Sequence, residues 1–96
     1  MKVKNINGTS DTNCVCGSWL KHWENFSSKK ASNCSEATCM EYRDLVGAHV
    51  RKDSFLDNEW YIIPLCKKHN AKATDLEVSE GTVFVSANKS KTCDKF

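Results

Sequence analysis

Cys66 and His69 stand two residues apart in the stretch PLCKKHN. A Cys-x2-His pair at a helix start sets both side chains about one turn apart, where they converge on one point. The helix N-terminus also favours the negative charge of a thiolate. Such a pair is half of a zinc site, and two more ligands must come from elsewhere. Cys14 and Cys16 are the favoured source, because Cys16-Gly17 carries the glycine that lets a knuckle turn tightly. Cys34, Cys39, Cys93 and His22 also remain eligible for those two places, and a second ion stays open. Three further residues offer a different chemistry: His49 in the run LVGAHV, Asn58 in the loop after it, and Asn70 directly behind His69. A neutral imidazole can take a proton near pH 7, and an amide oxygen suits a hard ion such as Mg²⁺. From residue types alone, His49 reads equally as a buried strand histidine or a zinc ligand. Asn58 beside Asp57 reads as a turn residue, and Asn70 as a hydrogen-bonding group in a helix turn.

The chain that must position these groups is small. Its 96 residues favour a single domain spanning 1–96, and six cysteines stand among them. Mean hydropathy is low, −0.56. Apolar packing alone leaves such a domain marginal, so a metal or a cross-link would stabilise it. The N-terminus MKVKNINGTSDTN has no apolar core of a signal peptide, and no stretch is long and apolar enough to span a membrane. An intracellular, cytoplasmic chain that uses its Cys and His for metal is therefore expected, in preference to a secreted disulfide protein. Glycosylation sequons at Asn7, Asn25, Asn33 and Asn88 carry almost no weight in a chain so rich in Asn and Ser. The net charge of +2 is far from that of a strongly basic nucleic-acid module. Only a fold that gathers Lys29-Lys30, Arg51-Lys52 and Lys67-Lys68 on one face would form a phosphate-binding surface.

Residues 1–13 are polar and read as a loose arm or a peripheral strand. In SWLKHWENF, Trp19, Leu20, Trp23 and Phe26 recur at helical spacing, which predicts a short amphipathic helix with His22 half-exposed beside the stripe. Residues 27–33 are a loop by composition. Ser35 could cap a helix over about 36–45. Residues 45–50 and 60–65 read as strands, the second ending near Pro64, with a charged loop between them. A short helix opens at Cys66. A turn at Glu80-Gly81 precedes a strand at 82–86. The expected fold class is α+β.

The order strand, loop, strand, helix over 45–72 resembles the core of HNH-endonuclease-like treble-clef proteins. There an "AHI"-type strand, a loop and a strand ending in "PLC" lead into a metal-binding helix. The matching residues are Ala48-His49-Val50, Trp60-Tyr61-Ile62-Ile63-Pro64-Leu65-Cys66 and His69-Asn70. The resemblance implies a zinc-stabilised treble-clef or ββα-metal domain, with Cys66 and His69 as structural Zn²⁺ ligands. It implies His49 as the general base toward a phosphodiester, Asn58 as the residue orienting it, and Asn70 as a ligand of catalytic Mg²⁺ or Mn²⁺. Many members carry an acidic residue before the base histidine, where this chain has Ala48, and a final His where it has Asn70.

Two functions follow as expectations. One is a small metal-dependent endonuclease that hydrolyses DNA. The other is a non-catalytic zinc module that binds nucleic acid or a protein partner. Neither involves a membrane. Small stand-alone proteins of this type are frequent in bacteria and phages, as the resemblance implies.

Overall fold

Two apolar runs become paired strands in a computed structural model of the chain, which describes residues 1–6, 18–53, 59–71 and 75–87. Strand β2 spans Leu45–Lys52 and β3 spans Trp60–Cys66. They pair antiparallel, with Gly47 opposite Pro64, Ala48 opposite Ile63 and His49 opposite Ile62. Strand β3 is rich in β-branched and aromatic residues, and residues 47–50 of β2 and 62–66 of β3 are buried. Strand β1, Lys2–Asn5, lies along the other side of β2, with β4, Asp75–Glu77, beyond it. Strand β5, Val85–Ser86, closes the far edge beside β3. The sheet order is β4-β1-β2-β3-β5, antiparallel throughout.

The sheet is covered on both faces, because successive side chains along each strand point in opposite directions. Val3, Ala48, Val50, Ile63, Leu65, Leu76 and Val78 pack on one face, together with Cys34 and Cys66. Ile62 and Val85 pack on the other, against Trp19 and Trp23. Those tryptophans belong to helix α1, Trp19–Ser27. The Ser18 side chain caps the helix by accepting from the Lys21 amide at 3.1 Å, and Ser28 ends it in the left-handed region at φ 61°. At Gly47 the backbone of α1 lies directly against β2. A Cβ there would stand 2.7 Å from the Trp19 carbonyl oxygen and closer still to the Trp19 carbonyl carbon and the Leu20 amide. Only a residue without a side chain lets the helix backbone sit there. Helix α2 is one turn, Lys67–Asn70, directly after β3.

Several expectations change. Lys2–Asn5, expected in a loose arm or a peripheral strand, is a strand, and an inner one, with Val3 fully buried. One apolar residue among four is too little for a strand signal, yet Val3 fills a gap between Lys52 of β2 and Leu76 of β4. His22, expected half-exposed, is fully buried, and its Nε2 lies 2.9 Å from the Ser86 carbonyl oxygen. Phe26, expected on the buried stripe, is 46% exposed.

The helix expected over 36–45 is absent. Its amides bond elsewhere: Ala37 to the Glu77 carbonyl at 2.8 Å and Cys39 back to the Glu36 carbonyl at 3.0 Å. Side chains compete for the rest. The Glu36 carboxylate accepts from the Thr38 amide and hydroxyl, and the Glu41 carboxylate from the amides of Tyr42 and Arg43. Local side-chain acceptors of this kind divert backbone donors from a helix. Asp44, at φ 55°, then turns the chain into β2. The strand expected at 82–86 is confined to Val85–Ser86.

Candidate metal centre

Cys66 is the last residue of β3, and His69 lies one helical turn later in α2. The turn between residues 34 and 39 meets them there. Its backbone is fixed from both sides: the Ser35 amide donates to the Pro64 carbonyl, and the Ser79 amide donates to the Ser35 carbonyl, each at 2.9 Å. The Cys34 amide reaches the Glu41 carbonyl at 2.8 Å and closes the loop behind it. The result is a Cys34, Cys39, Cys66, His69 group whose ligand atoms all lie within 4.8 Å of one another.

The spacings fit one tetrahedral ion. With a metal–sulfur bond of about 2.3 Å and a metal–nitrogen bond of about 2.05 Å, tetrahedral angles place sulfurs about 3.8 Å apart and sulfur about 3.6 Å from nitrogen. Here Cys39 Sγ and Cys66 Sγ are 4.0 Å apart. His69 Nδ1 is 3.2 Å from Cys66 Sγ and 3.6 Å from Cys34 Sγ. Soft sulfur donors with one imidazole are a donor set that suits zinc. The other ring nitrogen, Nε2, lies 3.5 Å from Glu36 Oε2. The Glu41 amide points at Cys39 Sγ from 3.5 Å.

Burial sets the electrostatics. Cys34 is fully buried, and desolvation pushes its thiol up from 9.0 to about 12, against the pull of the Cys66 and Glu36 backbone amides. Without a metal, Cys34 therefore holds its proton at neutral pH. A bound cation would reverse that preference, since the ligating form is the thiolate. The Glu36 carboxyl is held below its ordinary value, chiefly by the Thr38 side chain and amide.

Asparagine at position 5 ties the centre to β1. Its Nδ2 donates to the Asn70 carbonyl at 2.6 Å and to the His69 carbonyl at 3.3 Å. Those carbonyls end a one-turn helix, so they need partners from outside it.

Comparison of the chain with protein-family models, curated proteins and solved structures gave no match.

Of the residues singled out from the sequence, Cys66 and His69 come together in this group. Cys34 and Cys39, eligible but not favoured, supply the two remaining positions. Cys14, Cys16, Asn58 and Cys93 lie outside the described residues. His49 lies on β2, 4% exposed, with its ring 4.6 Å from that of Trp19 in an edge-on contact. A second edge-on neighbour is Trp60, at 6.2 Å. Strand alternation turns Ala48 toward the cysteine face and His49 toward α1. Asn70 lines a cavity with Ser18, Trp19, Leu20, Leu45, Val46 and Gly47; His49 is not among its walls. Glu36 was missed by sequence reasoning, although its place inside Cys34-x4-Cys39 keeps it within reach of the ligands. Among the described residues, no helix is long and apolar enough to cross a membrane.

Proposed function

We propose that the chain is a non-catalytic, zinc-organised binding module of the treble-clef type. The observation that carries this reading is the complete Cys34, Cys39, Cys66, His69 set. Four protein ligands fill a tetrahedral zinc ion, whereas catalytic zinc sites keep a position open for water or substrate. The order of parts supports the treble-clef assignment: a turn bearing two ligands, the β2–β3 hairpin, and a helix start bearing two more. Burial of His49 between Trp19 and Trp60 supports a packing role for that imidazole. Nucleic acid or a protein is the partner class of this reading; Lys67, Lys68 and Arg43 share the walls of a cavity beside the metal group with Glu41 and Asp44, and Arg43 Nε lies 3.4 Å from the Glu41 carboxylate.

The second reading is an HNH-like endonuclease acting on DNA with Mg²⁺ or Mn²⁺. The strand–strand–helix order over 45–70, with His49 on the first strand and Asn70 at the helix end, favours it. One experiment separates the two. Zinc-loaded protein is incubated with supercoiled plasmid and Mg²⁺ or Mn²⁺, beside a His49→Ala control. The binding-module reading expects no nicking above background from either protein. Nicking by the parent that the variant loses would establish the endonuclease instead.

A further inference from the structure

A histidine can bind a metal through either ring nitrogen, and some neighbouring group must decide which. Here Nδ1 of His69 faces the sulfurs of Cys66 and Cys34, at 3.2 and 3.6 Å. Nε2 faces outward, 3.5 Å from Glu36 Oε2. We infer that Glu36 is the positioning residue of the metal centre: its carboxylate takes the Nε2–H of His69 and so fixes Nδ1 as the nitrogen presented to the ion. The inference rests on the reading of the four-residue group as a metal centre.

The chemistry leaves little choice at Nε2. A ligating imidazole is neutral and gives a lone pair to the metal, so with Nδ1 on the ion the ring proton sits on Nε2 and needs an acceptor. Glu36 is held ready for that role. Its Oε1 accepts from the Thr38 hydroxyl at 2.7 Å and from the Thr38 amide, while Oε2, 3.2 Å from the same hydroxyl, is the oxygen that faces His69 at 3.5 Å. Its backbone is pinned by a bridge to Val78 and by the Cys39 amide on its carbonyl at 3.0 Å. Both side chains are largely covered, at 12% exposure for His69 and 17% for Glu36. Thr38, Glu36, His69 and the ion would form one chain of oriented contacts. Because Glu36 lies within the Cys34-x4-Cys39 turn, the segment that supplies two ligands also orients a third.

The test compares wild type, Glu36→Ala and Glu36→Gln, loaded with Co²⁺ for spectroscopy and with Zn²⁺ for affinity and NMR. Wild type should show intense thiolate-to-cobalt bands, and long-range ¹H–¹⁵N correlations should place zinc on Nδ1 of His69 and the proton on Nε2. Glu36→Ala should weaken zinc binding about 10- to 100-fold. It should also lose the single Nδ1-bound pattern. Glu36→Gln keeps an acceptor oxygen and should recover most of the affinity and the Nδ1 pattern. Wild type without thiolate bands would overturn the metal-centre reading itself. Wild type that binds zinc through Nε2 would overturn the role of Glu36 alone, and that measurement needs no variant to fold. Unchanged affinity and an unchanged Nδ1 pattern in Glu36→Ala would do the same.

Discussion

Replacing Cys34 by Ala tests the centre at its most buried ligand. Cys34 is fully covered, packs among Val3, Ala48, Leu65 and Val78, and lies 3.6 Å from His69 Nδ1. The substitution has two separable costs. Removing one buried sulfur leaves a cavity about the size of a methyl group, worth about 1 kcal/mol. Losing the ligand removes metal stabilisation, which follows RT ln(1 + [M]/Kd) and amounts to about 2.7 kcal/mol when free zinc is held at about 100 times the wild-type Kd. In a domain of 96 residues, each kcal/mol moves Tm by about 4–8 °C. The metal part alone should therefore lower Tm by about 11–22 °C, and the cavity by about 4–8 °C more. The assay is thermal unfolding by circular dichroism in a zinc buffer, with and without excess chelator. Chelator should drop the wild type by the metal part and leave Cys34→Ala nearly unmoved. A wild type whose Tm ignores chelator would refute the reasoning. So would a variant that still binds one zinc with unchanged affinity.

Gly47→Ala should destabilise the protein by about 1–3 kcal/mol, since the new methyl meets the backbone of Trp19 and Leu20 and no flexible side chain can yield; a denaturant midpoint equal to wild type would contradict that contact. Zinc binding at pH 7 should release up to about three protons, one per ligating thiol, which calorimetry in buffers of different ionisation enthalpy would count. In the chelated protein, burial raises the Cys34 thiol from 9.0 to about 12, so the fold prefers the protonated thiol. That stability is whole below the unfolded value and is lost as pH climbs toward the folded one, so the midpoint of the chelated protein should fall through this window. Asn5→Ala removes the side-chain bonds to the C-terminal end of α2 and should cost about 1 kcal/mol, read as a lower Tm.

The hairpin was legible because residues 45–50 and 60–65 form two short, largely apolar runs, each long enough for one strand and buried at its centre or end. The Cys66–His69 pair was legible because only two residues separate them, at the junction of β3 and α2. The other two ligands were harder to place. The segment 34–39 reads, from local spacing alone, as the Ser35 cap and first turn of a helix over about 36–45. Its real conformation depends on Pro64, Glu77 and Ser79, whose amides and carbonyls take its hydrogen bonds from distant parts of the chain. A turn held by long-range partners leaves little local signal. The retrospective clue is Glu36 and Thr38, whose side chains prefer to bond the nearby backbone. His22 shows a similar limit: its partner, the Ser86 carbonyl, lies 64 residues away.

The sheet divides the two chemistries that the sequence placed side by side. Ala48 faces the cysteines, and His49, the next residue, faces α1. A metal held by the Cys34, Cys39, Cys66, His69 group would therefore stabilise the hairpin from one side without orienting the imidazole on the other. For His49 to reach a phosphodiester, Trp19 would have to move off its ring. Trp19 and Trp23 are 6% and 5% exposed, and both pack in the same cluster. Uncovering a buried tryptophan returns about 150–250 Å² to water, which costs up to about 6 kcal/mol. At a tenfold population change per 1.4 kcal/mol, the open form would be as rare as about one molecule in 10⁴. A nuclease built on His49 would need its substrate to supply that energy by binding the opened form preferentially. Loosening α1, for example by Trp23→Ala, should then raise nicking in the endonuclease case, and should only lower Tm if the chain is a binding module.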